Sequence, residues 1–95
     1  MDKTTRSKLI FAIADIANAI AMMHQLGASK EEILEGLEEH SDDKELPKIL
    51  YKIVDLACEL PIEKDPIGKI AIVSAFTKTV IEALSATPTM QVNLN

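Results

Sequence analysis

Apolar residues recur at a helical interval along most of the chain. In the first segment they form one stripe with spacings of three, four and three residues, made of Ile13, Ile16, Ile20 and Met23. Because an α-helix has 3.6 residues per turn, side chains at these spacings lie on one face and predict an amphipathic helix. Three further segments show a similar period. The four predicted helices cover residues 5–26, 30–40, 46–60 and 66–86.

The apolar faces of these helices form the predicted core. Alanines flank the stripe of the first helix and allow another helix to approach closely. The second helix contributes Ile33, Leu34 and Leu37. The third contributes Ile49, Leu50, Ile53, Val54, Ala57 and Leu60. The fourth contributes a seam of Ile70, Val73, Thr77, Val80 and Leu84, widened by Ile67, Ile72, Phe76 and Ile81.

Capping residues mark the ends of these helices. Gly27 follows the first helix and suits the left-handed conformation that ends a helix. Ser29 and Glu32 predict a capping box at the start of the second helix, in which each side chain accepts from the other residue's backbone amide. Asp65 is the expected N-cap of the fourth helix, and Pro66 is its expected first residue.

This pattern predicts an all-α protein, a small bundle of about four helices with a short extended C-terminal tail. The length of 95 residues suits a single helical domain over 1–95. Within the tail at 88–95, polar and apolar residues alternate with the period of a strand. We interpret the tail either as a loose terminus or as an extended segment that docks on a neighbour.

The first predicted helix carries a second strip on the side opposite its apolar stripe. Gln25 falls on this outer side, together with a strip at spacings of four, three and four, namely Phe11, Asp15, Asn18 and Met22. A helix that is apolar on most of its circumference needs cover on several sides. We predict an oligomer interface on this strip, with Asp15 or Asn18 fixing its register. Isolated surface residues and a fourth wall of the core are the alternatives.

The acidic residues are concentrated in the second helix and the turn after it. The chain has a net charge of −5, and residues 30–45 alone hold eight acidic residues against two lysines. We predict that this face binds a protein partner with a basic surface, because complementary charge speeds encounter and sets specificity. Its residues are Glu31, Glu35, Glu38, Glu39 and Asp42. A solvated face that aids solubility and a mimic of nucleic acid are the alternatives.

Residues 22–33 have the outline of a helix–turn–helix with Gly27 in the turn. We expect no nucleic-acid partner, because phosphate contacts dominate such binding and the would-be recognition helix is acidic. The string GASKEEI at residues 27–33 resembles part of the helical hairpin of carboxymuconolactone decarboxylases and alkylhydroperoxidase-like proteins. The paired redox cysteines of the peroxidase branch are missing from this sequence, so the resemblance implies no activity.

Few residues suit catalysis or ligand binding. Cys58 is the single cysteine, and its place beside an apolar stripe indicates a packed thiol rather than a disulfide or a multi-cysteine metal site. His40 with Asp42 and Asp43 matches no defined metal motif. We therefore predict no catalytic residue, cofactor or metal site. A small-ligand carrier or enzyme subunit is the alternative, with an apolar cavity lined by Met22, Met23, Phe76 and Ile81.

Three basic residues, Lys3, Arg6 and Lys8, precede an apolar run and give the outline of a secretory signal. Asp15 interrupts this run, and a membrane helix needs about 20 apolar residues. We expect no membrane partner and a cytoplasmic location, where a lone cysteine stays reduced. The sequence thus predicts a small acidic, non-enzymatic protein–protein interaction module (regulator, inhibitor, chaperone or adaptor) that acts as a homodimer.

Overall fold

The computed structural model describes residues 3–39 and 47–86, and this part of the chain holds four α-helices and no strand. The helices are α1 (Lys3–Gln25), α2 (Lys30–Glu39), α3 (Lys48–Cys58) and α4 (Pro66–Ser85). They pack into a small bundle, which confirms the predicted all-α fold class. The predicted limits of each helix differ from these by at most two residues. The predicted tail at 88–95 lies outside the described residues.

The other helices pack around α1, which contacts all three of them. α4 runs antiparallel beside it, so that Arg6 lies next to Leu84 and Gln25 lies next to Lys69. Arg6 Nη2 donates to the Leu84 carbonyl at 3.2 Å. This bond places a cation at the C-terminal end of α4, where the helix dipole favours positive charge. α2 and α3 pack against each other as well as against α1.

Alanines form much of the buried face of α1. Its buried residues are Ala14, Ala17, Ile20, Ala21 and Gln25. Of the predicted stripe, Ile20 is fully buried, and the other members are partly buried against the core, namely Ile13, Ile16 and Met23. Because α1 has several helical neighbours, small side chains on its buried face let those helices approach closely.

The core residues predicted for the other helices are largely confirmed. The buried residues of these helices are Ile33 of α2, Leu50, Ile53, Val54 and Ala57 of α3, and Val73, Phe76 and Val80 of α4. Two predicted core residues are exposed instead, Ile67 at 75% and Ile70 at 58%. They lie in the first turns of α4, beside the end of α1 and the connection after α3, and neither element covers their side.

Gly27 ends α1 as predicted. Its φ of +99° is the left-handed conformation that a residue with a side chain adopts only with strain. The amides of Gly27 and Ala28 donate to the carbonyls of His24 and Met23, at 3.0 Å each. These two bonds form a Schellman motif, which uses carbonyls that the end of the helix would otherwise leave unpaired.

Side-chain caps begin α2 and α4, also as predicted. The Ser29 amide donates to Glu32 Oε1 at 2.8 Å, and the Glu32 amide donates to Ser29 Oγ at 3.1 Å. The hydrogen bonds with Ser29 lower the pKa of Glu32 from its ordinary value, because they stabilise the carboxylate. Asp65 accepts from the Gly68 amide at 3.3 Å, and Pro66 is the first residue of α4.

The shorter helices leave part of α1 without cover. At 1.5 Å per residue, the 23 residues of α1 extend about 34 Å, whereas the 10 and 11 residues of α2 and α3 extend about 15–17 Å. Along the segment Thr5–Gln25, every buried residue lies at or after Ala14. We call residues 5–13 the open half of α1; it includes Leu9 and Phe11, which are both exposed.

Candidate interaction surfaces

A buried glutamine joins the end of α1 to the connection between α3 and α4. Gln25 is only 1% exposed, so the prediction that it lies on the outer side is wrong. Its Nε2 donates to the Pro61 carbonyl at 2.9 Å, and its Oε1 accepts from the Glu63 amide at 2.8 Å. Both ends of the side-chain amide are therefore bonded, which offsets the unfavourable burial of a polar group. Both partners are distant in sequence, so the spacing of residues along α1 carries no sign of them.

His24 and Lys69 bond to the same region. His24 Nε2 lies 2.7 Å from the Leu60 carbonyl oxygen, and Lys69 Nζ donates to the Gln25 carbonyl at 2.7 Å. Both bonds use backbone carbonyls near the end of a helix, where the regular helical partner is missing. The polar side chains of this region thus serve to hold α1, α4 and the α3–α4 connection together.

α2 presents an acidic surface to solvent. Four of the five residues predicted for it are exposed, namely Glu31, Glu35, Glu38 and Glu39. The fifth, Asp42, lies outside the described residues. The other side of α2 faces the core through Ile33, with Leu34 and Leu37 partly buried against it. The apolar side therefore holds α2 in place while its glutamates stay accessible.

An ion pair and the single cysteine lie near the contact between α2 and α3. Lys30 pairs with Asp55 at about half exposure of both side chains, and the hydrogen bond to Asp55 raises the pKa of Lys30. Cys58 is partly buried, and burial raises the pKa of its thiol, although the charge of Lys30 opposes that rise. A raised pKa disfavours the reactive thiolate, so Cys58 suits packing better than nucleophilic chemistry.

The fold divides the strip that was predicted as an oligomer interface. Phe11 is 59% exposed, and Asp15 is exposed as well. Asn18 Nδ2 donates to Thr77 Oγ1 of α4 at 3.3 Å, and Met22 packs against the core. The first half of the strip is therefore open to a partner, whereas the second half contacts the same chain.

A second exposed apolar group lies at the end of the bundle where Gln25 is buried. Its members are Leu26, Ile62, Ile67 and Ile70, each more than half exposed. Leu26 follows Gln25 directly, and Ile62 lies between the two residues that bond to the Gln25 side chain. We call this group the junction cluster. The sequence pattern did not indicate it, although Leu26 and Ile62 do stand outside all four apolar stripes.

The remaining candidates are a metal group and the alternative apolar cavity, and the structure describes residues 3–39 and 47–86. Within these ranges, no group of three or more His, Cys, Asp or Glu residues is placed to hold a metal ion. The sequence candidates His40, Asp42 and Asp43 lie outside them. The residues of the alternative cavity are buried or partly buried, namely Met22, Met23, Phe76 and Ile81.

One helix in the described part of the chain, Thr5–Gln25, is long and apolar enough to cross a membrane. Its second half supplies buried residues to the core of the bundle, among them Ile20. The core helix of a soluble protein and a signal sequence can also be this long and apolar, so this property by itself assigns no membrane role.

No protein-family model matches the chain, and no curated protein and no solved structure matches it. The function is therefore inferred from the surfaces described above, the acidic face of α2 and the open half of α1.

Proposed function

We propose that the protein is a small, non-enzymatic interaction module that forms a homodimer and binds a protein partner with a basic surface. The observation that carries this proposal is the exposure of Phe11, whose large aromatic side chain is 59% exposed on the open half of α1. Leu9, on the same half but two residues away and so on a different side of the helix, is 47% exposed. Aromatic side chains are enriched in protein interfaces relative to the rest of the surface.

The acidic surface of α2 supports the choice of a basic partner. Glu31, Glu35 and Glu38 follow one another at four and three residues and so share one face of the helix. Like charges at these spacings repel one another in the free protein. A basic surface relieves that repulsion, and complementary charge speeds the encounter and disfavours wrong partners.

The open half of α1 and the acidic surface of α2 are far enough apart that contact at one does not block the other. α2 packs close to α1 at Gly36 and Met23, whereas Phe11 lies 12 residues earlier, about 18 Å along the axis of α1. A dimer formed through Phe11 therefore leaves both acidic surfaces accessible. Two such surfaces on one dimer increase the apparent affinity for any partner that carries two basic sites at a matching distance.

Analytical ultracentrifugation over a range of concentrations tests self-association. We expect the wild-type chain to be dimeric at micromolar concentration and Phe11→Asp to sediment as a single chain. Ile67→Asp is the control, because it also replaces an exposed apolar residue with aspartate, at a position outside the open half of α1. A wild-type protein that stays monomeric up to millimolar concentration contradicts the homodimer.

Charge reversal tests the acidic surface. Glu35→Lys with Glu38→Lys is compared with Glu59→Lys and Glu82→Lys, which change the net charge equally at exposed positions outside α2. Proteins captured from the host extract are quantified by mass spectrometry. We expect the first variant to lose basic proteins that the wild type and the control retain, with similar melting temperatures for all three. Equal losses in both variants contradict a specific acidic surface.

A further inference from the structure

The outer face of α1 carries opposite charges on either side of Phe11. Lys8, Phe11 and Asp15 are all exposed and keep spacings of three and four residues, so they lie on one face of the helix. Ala12 is exposed beside them. Lys8 and Asp15 are seven residues apart, about 10 Å along the axis, and the midpoint between them falls between Phe11 and Ala12.

We propose that a second copy of the chain packs antiparallel across this face, with Lys8 of each copy paired to Asp15 of the other. The arrangement rests on the self-association proposed above and adds its geometry. In a two-fold contact each surface meets its own copy, so a cation and an anion placed symmetrically about the axis form two ion pairs. Phe11 then lies over Ala12 of the second copy, whose small side chain leaves room for the ring.

The charges favour this register over two others. A parallel pair places Lys8 against Lys8 and Asp15 against Asp15, and an antiparallel pair centred on Asp15 brings two carboxylates together. Like charges in contact repel and opposite charges attract. Of the three arrangements, only the one centred beside Phe11 pairs all four charges and covers the aromatic side chains. This self-complementarity identifies a second copy of the chain as the occupant of the face.

Two neighbouring polar residues of α1, Arg6 and Asn18, bond within the same chain. Arg6 is engaged with α4 through the Leu84 carbonyl. Asn18 is bonded to Thr77 and marks the edge of the face on the α4 side. The register therefore depends on Lys8 and Asp15. Lys8 was not part of the interface strip predicted from the sequence.

Charge reversal followed by restoration tests this register. Analytical ultracentrifugation measures the dissociation constant of the dimer for Lys8→Glu, for Asp15→Lys and for the double variant. Each single change puts like charges at both symmetry-related pairs, so we expect it to weaken the dimer about tenfold. The double variant exchanges the two charges and is expected to return to within about threefold of the wild type. Added salt is expected to weaken the wild-type dimer as well.

Lys52 and Glu59 provide a matched control, because they are also exposed and seven residues apart, on and just after α3. The same reversals there are expected to leave the dissociation constant unchanged. Circular dichroism shows whether each variant keeps its helices.

A dimer that tolerates both reversals in α1, or that the double variant fails to restore, overturns this register while the homodimer still stands. If Ile67→Asp dissociates the dimer and Phe11→Asp does not, the junction cluster is the contact, and the register is overturned as well. A wild-type chain that never dimerises overturns both this register and the homodimer.

Discussion

The side-chain amide of Gln25 donates to the carbonyl of Pro61 at 2.9 Å, across 36 positions of the chain. This bond holds the last turn of α1 against the connection between α3 and α4. The Glu63 amide bonds to the same side chain, and Asp65 caps α4 two residues later. The Gln25 side chain thus helps to fix the position of the first turn of α4 relative to α1.

Replacing Gln25 with leucine is expected to lower the free energy of unfolding by about 2 kcal/mol or more. Leucine removes the bonds to the Pro61 carbonyl and from the Glu63 amide, and each lost hydrogen bond costs about 0.5–1.5 kcal/mol. Urea denaturation measures the difference. Asn18→Ala is the control, because it removes only the bond of an exposed side chain to Thr77 and is expected to cost less than about 1 kcal/mol. Similar losses for the two variants contradict a special role of Gln25.

Alanine is expected to have opposite effects at two glycines. Gly27 has a φ of +99°, so Gly27→Ala strains the backbone and destabilises the protein by about 1–2 kcal/mol. Gly36 lies within α2, where an added β-carbon meets Met23 Cε at 3.9 Å, an ordinary contact. Gly36→Ala is therefore expected to stabilise by about 0.5–1 kcal/mol. Thermal unfolding distinguishes the signs, and a shift in the same direction for both variants contradicts the prediction.

Acidification is expected to weaken the start of α2. The hydrogen bonds with Ser29 hold the pKa of Glu32 below its ordinary value of 4.5, so the unfolded chain binds a proton at a pH where the folded chain does not. The stabilisation is complete above pH 4.5 and is lost as the pH falls through the folded-state pKa.

Glu32→Gln tests this, because the amide oxygen still accepts from the Ser29 amide but does not titrate. Urea denaturation at stepped pH values below neutrality is expected to show a smaller acid-dependent loss of stability for this variant than for the wild type. Glu35→Gln makes the same charge change outside the capping box and is expected to keep the wild-type loss. An identical pH dependence in all three proteins contradicts the role of the capping box.

Cys58 is expected to react slowly with alkylating reagents. Burial raises the pKa of its thiol, so the folded protein holds less thiolate at neutral pH than the unfolded chain does. The reaction rate of the native protein with iodoacetamide is expected to rise at higher pH than the rate in urea. Lys30→Met removes a charge that lowers this pKa, and so is expected to move the native profile further upward. Equal rates in the native and unfolded proteins contradict the prediction.

The sequence by itself determined the features that depend on near neighbours. The caps at Gly27, Ser29 and Asp65 were predictable, because each involves groups within five residues along the chain. The exposure of the α2 glutamates was predictable as well, since Ile33 and its partly buried neighbours give that helix one apolar side. The buried face of α3 followed from spacing for the same reason.

Only the tertiary structure decided how far each helix is covered and by what. The spacing placed Gln25 in solvent and Ile67 in the core, and the structure reverses both. Periodicity describes one helix in isolation, whereas burial depends on where its neighbours begin and end. α2 and α3 are about half as long as α1. Residues on the same face of α1 are therefore buried near its C-terminal end and exposed near its N-terminal end.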